Sequence, residues 1–168
     1  SAANEDILSF DSGDYQLLFD GSDVGLSSLA LDAIDVTNDA EILMSFSADF
    51  KTGGSYPLPG LGSGESVDDS DILRFTAGSL GSSTSGSFSI LLDGSDVGLS
   101  SRGEDIDGLQ LRSDGSLLVS TTGSFSGTGA SGADEDIFLF TPTSLGESTS
   151  GSFSKYLDGG GIGLSGSS

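Results

Sequence analysis

The chain has 168 residues, 26 Asp and Glu against 5 Lys and Arg, and a net charge of −21, so no basic surface exists to neutralise phosphates and nucleic-acid binding is excluded. With no Cys and no His there is no disulfide framework, no Ser-His or Cys-His nucleophile and no His-ligated zinc. Apolar residues make up 35% and Gly takes 27 positions, which suits short strands joined by many turns and argues against long helices. A compact domain of this length buries roughly 70% of the surface its unfolded chain exposes. A charge of this size resists self-association and repels an anionic membrane unless salt or divalent cations screen it. No apolar run approaches the roughly 18 residues of a membrane-spanning helix. The chain opens at Ser1 with no signal-peptide pattern, so the expectation is a mature or excised segment that does not insert in a membrane.

In chain order, strands are predicted at 6–10, 15–20, 32–37, 41–48, 71–76, 87–93, 105–111, 116–122, 136–141 and 152–158. Each is a short apolar run, partly β-branched or aromatic, bounded by Gly, Ser and Asp. Asp114-Gly115 between Leu111 and Leu117 is a strong hairpin cue, and Asn38-Asp39 holds the corresponding place one repeat earlier. The strands thus read as five consecutive hairpins. Several are apolar at adjacent positions, as in Ile72-Leu73, Ile90-Leu91-Leu92 and Phe138-Leu139-Phe140, so both faces of a sheet should be covered.

The strongest signal is internal repetition. Asp6-Ile7-Leu8-Ser9-Phe10 recurs as Asp71-Ile72-Leu73-Arg74-Phe75 and as Asp136-Ile137-Phe138-Leu139-Phe140, in steps of 65 residues. Asp20-Gly21-Ser22-Asp23-Val24-Gly25-Leu26-Ser27 is repeated without change at 93–100 and in altered form at 158–165, where Gly160 and Gly161 replace Ser and Asp. The expected fold is all-β, tandem antiparallel β-hairpins of about ten strands with a 65-residue repeat, propeller-like in strand order. A ten-stranded barrel and a β-sandwich are the alternatives. The chain reads as a single repeat domain over 1–168, with a half repeat at 1–28 and repeats at 29–100 and 101–168. That is fewer units than the four to eight blades from which propellers typically close.

The motifs Asp93-Gly94-Ser95-Asp96-Val97-Gly98-Leu99, Glu104-Asp105-Ile106-Asp107, Ser116-Leu117-Leu118-Val119-Ser120-Thr121, Asp134-Glu135-Asp136-Ile137 and Phe140-Thr141-Pro142-Thr143-Ser144-Leu145-Gly146 carry a resemblance that extends over nearly the whole chain. The set resembles a family of uncharacterised repeats in large secreted or surface proteins of environmental bacteria. The resemblance implies an extracellular or cell-surface setting and brings no catalytic residues.

The Asp-rich turns are the candidate metal site, because calcium takes carboxylate, hydroxyl and carbonyl oxygens. Asp93, Ser95 and Glu104 fall at positions 1, 3 and 12 of a twelve-residue loop, with Asp96 inside it and Gly98 at position 6; Asp20, Ser22 and Asp23 form the earlier copy, where Leu31 takes position 12. Val97 occupies position 5, which an oxygen ligand should fill, and a plain turn leaving an outer strand is the favoured reading. The acidic clusters Asp68, Asp69, Asp71 and Asp134, Glu135, Asp136 divide between cation binding and strand-edge protection, the second preferred. Ser82-Ser83-Thr84-Ser85 and Ser148-Thr149-Ser150 are acceptors for O-linked sugars or, preferentially, solvated loops. The segment Lys51 to Ser66, with Pro57 and Pro59 flanking Leu58, suits an extended piece that drapes over a sheet edge or joins a partner.

The expected role is a non-enzymatic extracellular structural repeat protein, a homo-oligomer or polymer serving as a fibre or surface-layer subunit. The alternative is an adhesion module that binds calcium or polysaccharide. A glycoside hydrolase would need a close carboxylate pair, for which Asp105 and Asp107 are the first choice. A Gly/Ser tail such as 164–168 normally frays, so order there would point to something that holds it.

Overall fold

The computed structural model describes residues 2–38 and 40–164; Ser1, Asp39 of the expected Asn38-Asp39 turn and 165–168, which hold Ser165 of the third Asp-Gly motif and the Gly/Ser tail, lie outside that range. The protein is all-β. Five hairpins follow one another: β1 (Ile7–Asp11) with β2 (Asp14–Phe19), β3 (Leu31–Asn38) with β4 (Glu41–Phe46), β7 (Ile72–Ser79) with β8 (Ser85–Leu92), β9 (Ile106–Leu111) with β10 (Leu117–Thr121), and β13 (Ile137–Ser144) with β14 (Ser150–Leu157). These are the ten predicted strands, with ends shifted by a few residues. Two small hairpins were not expected, β5 (Phe50–Lys51) with β6 (Ser66–Val67) and β11 (Phe125–Gly127) with β12 (Ala130–Gly132). Each lies between the second and third strands of a repeat.

The strands assemble into two four-stranded antiparallel sheets of the same order, β3-β4-β7-β8 and β9-β10-β13-β14, and β1-β2 stands as a two-stranded sheet. None of the described sheets closes on itself, which rules out the ten-stranded barrel. Pairing puts Ile42 opposite Phe75 and Met44 opposite Leu73 in one sheet, and Leu117 opposite Phe140 and Val119 opposite Phe138 in the other.

Successive side chains on a strand point to opposite faces, and the sheet β3-β4-β7-β8 uses both. Ile42, Met44, Leu73, Phe75 and Phe88 join Ile7, Phe19, Val24 and Leu26 in one core. Ala33, Leu43, Ile72 and Leu91 join Val97, Leu99, Ile106, Leu117, Val119, Phe138, Phe140 and Phe153 in a second. Adjacent apolar residues along a strand therefore serve two cores.

The segment between Lys51 and Ser66 drapes over the outer strand, as its prolines suggest. Leu58 is buried in the first core, and the Phe88 N–H donates to the Pro59 carbonyl at 2.6 Å. A shorter loop does the same in the next repeat, where the Phe153 N–H donates to the Thr128 carbonyl at 2.7 Å. Among the described residues no helix is long and apolar enough to cross a membrane.

Leu43 is fully buried between two sheets, whereas Leu118, its counterpart 75 residues later, is half-buried on an outer face. Leu43→Ala is expected to cost about 2–5 kcal/mol and Leu118→Ala clearly less, measured as the difference in urea unfolding free energy.

Candidate functional site at the junctions between repeats

The repeated Asp at the head of each third strand is a two-sided acceptor. Asp71 is buried; its Oδ1 accepts from the Gly94 N–H at 2.8 Å and its Oδ2 from the Asp68 N–H at 2.9 Å. Asp6 accepts from Gly21 and Ala3, and Asp136 from Gly159 and Ala133, in the same way. The carboxylate thus ties the turn before the third strand to the turn after the fourth. The approach is close enough to demand glycine: a Cβ on Gly94 would stand 2.5 Å from the Ser70 carbonyl oxygen.

The Asp-Gly-Ser-Asp turn fixed in this way grips the next repeat. The Asp93 N–H donates to Thr149 Oγ1 at 2.9 Å, and Asp96 Oδ2 accepts from the Thr149 N–H at 2.9 Å. Thr149 Oγ1 in turn donates to the Gly146 carbonyl at 2.7 Å, and the Gly146 N–H donates to the Leu91 carbonyl at 2.8 Å. Asp20 and Asp23 hold Thr84 with the same four contacts, through Gly81 and Leu18. Thr84 and Thr149 are buried, so these two members of the Ser/Thr runs are neither solvated loop residues nor accessible sugar acceptors.

The predicted calcium residues are largely accounted for by these contacts. Asp93 Oδ1 accepts from the Ser95 N–H and hydroxyl, and Asp20 Oδ1 from those of Ser22. Glu104 is buried, and its Oε2 accepts from the Ser100 and Ser101 N–H groups at 2.6 and 2.7 Å. Residues 93–104 fold as two 3-10 turns, Ser95–Val97 and Arg102–Glu104, with their carboxylates turned to separate sets of N–H donors. Among the described residues no three acidic side chains are gathered as a metal site.

Another polar feature is a hollow of about 350 Å³ lined by Ser47, Ala48, Asp49, Asp69, Arg102 and Asp105. Asp105 Oδ1 is sealed from solvent without a hydrogen-bond donor. Burial, then the neighbouring carboxylates of Asp32 and Asp69, push the Asp105 carboxyl up to about 7. Burial likewise pushes Asp71 up to about 6. Asp136 goes the other way, held below the usual carboxylate range chiefly by the Lys155 ammonium at 2.6 Å. Asp107, the other half of the expected carboxylate pair, accepts from the Ser120 hydroxyl at 2.6 Å. The acceptor role of Asp71 and the junction role of Thr149 were not predicted. Their only trace in the sequence is recurrence at 65 residues.

Thr149→Val leaves the Asp93 N–H without its acceptor and is expected to cost about 1–3 kcal/mol, while Ser148→Ala, at an exposed neighbour, should change little; chemical unfolding of the two variants checks this. Between the ordinary Asp value of 3.8 and about 7 the folded chain keeps protons on Asp71 and Asp105 that the unfolded chain releases, so stability falls as pH rises through that window. The contribution of Asp136, whose pKa is lowered, is lost only on acidification below the unfolded carboxylate range. Melting temperature is therefore expected to decline from pH 5 to pH 8, with a shallower slope in Asp105→Asn. Comparison with family models, with curated proteins and with solved structures yields no match.

Proposed function

We propose that the protein is a non-enzymatic extracellular structural repeat protein whose copies associate end to end, as in a fibre or surface layer. The observation that carries this reading is the placement of exposed apolar side chains. Among the described residues the large ones are Leu8, Phe10, Tyr15, Ile34, Val36, Tyr156, Ile162 and Leu164. Each corresponds to a position that is buried or, for Ile34 and Val36, half-buried in another repeat. Phe10 and Tyr15 form a ring pair at 4.9 Å, as Phe75 and Phe88 do at 4.9 Å, yet Phe10 is 63% exposed and Phe75 fully buried. Ile162 and Leu164 stand where Val97 and Leu99 are buried by the following sheet.

The leading face of β1-β2 and the trailing face after β14 thus carry the two halves of a contact that the chain already makes internally. Exposed apolar surface of this kind marks sites of association. The resemblance of the repeats to those of secreted and surface proteins supports the extracellular setting. A propeller-like arrangement, in which successive sheets pack as blades, fits the strand order within each repeat.

With a net charge of −21, association should strengthen as salt screens repulsion. Sedimentation velocity over a range of protein and salt concentrations is expected to show reversible, salt-promoted growth of species larger than the monomer, lost in Phe10→Asp and in Ile162→Asp. A monomer at every concentration and salt level overturns the reading. Growth that requires calcium and vanishes with chelator would instead favour the adhesion-module alternative.

A further inference from the structure

We infer that a binding site for a primary alkylammonium group lies beside Asp71, in a hollow whose counterpart one repeat later is filled by a lysine of the chain itself. The hollow measures about 210 Å³ and is lined by Glu65, Ser66, Asp71, Ile90, Asp93 and Glu147. It lies where the repeat 29–100 meets the repeat 101–168. Asp71 comes from the head of β7, Ile90 from β8, Asp93 from the turn that follows, and Glu147 from the loop between β13 and β14. Four of the six lining residues are acidic, and among the described residues no Lys or Arg lines the hollow.

The following repeat shows what stands in this place. Asp136, Lys155 and Asp158 are the counterparts of Asp71, Ile90 and Asp93, 65 residues later. Asp71 and Asp136 are both buried and accept from equivalent backbone N–H groups, Gly94 and Asp68 in one repeat, Gly159 and Ala133 in the other. Asp136 has one partner more, the Lys155 ammonium, whose Nζ stands 2.6 Å from Oδ2. Its hydrogen bond to Asp136, then the charges of Asp136, Asp158 and Glu135, raise the pKa of that ammonium. Beside Asp71 the aliphatic side chain of Ile90 takes the lysine's position, and a buried carboxylate left without a counter-charge is costly.

A second observation is independent of the repeat. Glu65 Oε2, on the rim of the same hollow, is sealed from solvent and has no hydrogen-bond partner. The residue in its place one repeat later is Ala130, so the copy that carries its own ammonium lacks this carboxylate. Negative charge is gathered where the internal cation is missing.

The lining selects the ligand. An ammonium group offers three donors and no acceptor, which matches carboxylate oxygens, and Ile90 gives an alkyl stem an aliphatic wall to lie on. A metal ion is a poorer match, because among the described residues no three acidic side chains are gathered to hold one. A lysine side chain of another protein and a free aliphatic diamine both carry the required group.

The test is a titration of the full-length protein with butylammonium chloride at constant ionic strength, read from backbone amide NMR shifts. Expected is saturable movement of the Gly94 and Asp68 signals, whose N–H groups donate to Asp71, with the Gly159 and Ala133 signals unmoved because Lys155 already occupies the equivalent place. Burial pushes Asp71 up to about 6, with Asp93 and Asp68 adding to the rise, and Glu65 and Glu147 face the same hollow. Binding should therefore strengthen from pH 5 to pH 7 as Asp71 loses its proton. Ile90→Lys, which supplies the ammonium from within, is expected to weaken binding by about tenfold or more. Glu147 is exposed, so Glu147→Gln disturbs no packing and should weaken binding about threefold. Tighter binding of Nα-acetyl-lysine-N-methylamide assigns the site to a protein lysine, and tighter binding of butane-1,4-diammonium assigns it to a free diamine. Absence of saturable shifts, an equal response to tetramethylammonium, equal movement of the Gly159 signal, or undiminished binding in Glu147→Gln overturns the proposal.

Discussion

A buried backbone N–H needs an acceptor, and at the end of each outer strand the chain leaves the ladder with no strand beside it. The carboxylate of Asp6, Asp71 or Asp136 fills that need while also holding the turn at the head of its own strand. A carboxylate suits the task because its two oxygens accept from donors on opposite sides without extending further into the core. With the glycine of the turn fixed, Asp93 and Asp96 project at a set height and meet Thr149 of the next repeat. Sheet stacking and the sharing of one sheet by two cores depend on this local tie, since the apolar faces meet in register only if the connecting turn is rigid.

The same carboxylate lives in different electrostatic surroundings along the chain. Asp71 is buried with Ile90 in the place where Lys155 stands beside Asp136. Desolvation therefore dominates for Asp71 and raises its pKa, and a nearby cation dominates for Asp136 and lowers it. One repeat stores an ionisation that opposes folding near neutrality and the other one that assists it. Asp105, like Asp71, is raised chiefly by burial, so both carboxyls give up stability as pH rises toward neutrality.

The strands were legible because their apolar runs are bounded by Gly, Ser and Asp, and because adjacent apolar residues such as Ile72 and Leu73 require cover on two faces. β5, β6, β11 and β12 were not, being two or three residues long within Ser- and Gly-rich stretches that carry no period. The site was less legible than the fold. Residue type and spacing single out Asp93 and Glu104 as candidate cation ligands, but residue type does not reveal that they accept from backbone N–H groups, and Asp93 also from the Ser95 hydroxyl. Thr84 and Thr149 hide among serines, and only their common spacing from Gly81 and Gly146 distinguishes them from solvated neighbours.

The first and third copies of the repeat differ from the second in complementary ways. Gly161 stands where Asp23 and Asp96 accept from a threonine, and the tight turn from Asp11 to Asp14 replaces the longer loop that carries Gly81 and Thr84. One change removes the acceptor and the other removes the threonine, while the apolar parts of both faces, Ile162 and Leu164 on one side and Phe10 and Tyr15 on the other, are kept. Apolar contact is non-directional, and polar pairs are what fix register and exclude wrong partners. Inside the chain the Asp–Thr contacts therefore set one order of sheets. Around Gly161 and at the Asp11–Asp14 turn the apolar part of that contact is kept without the Asp–Thr pair that gives it register.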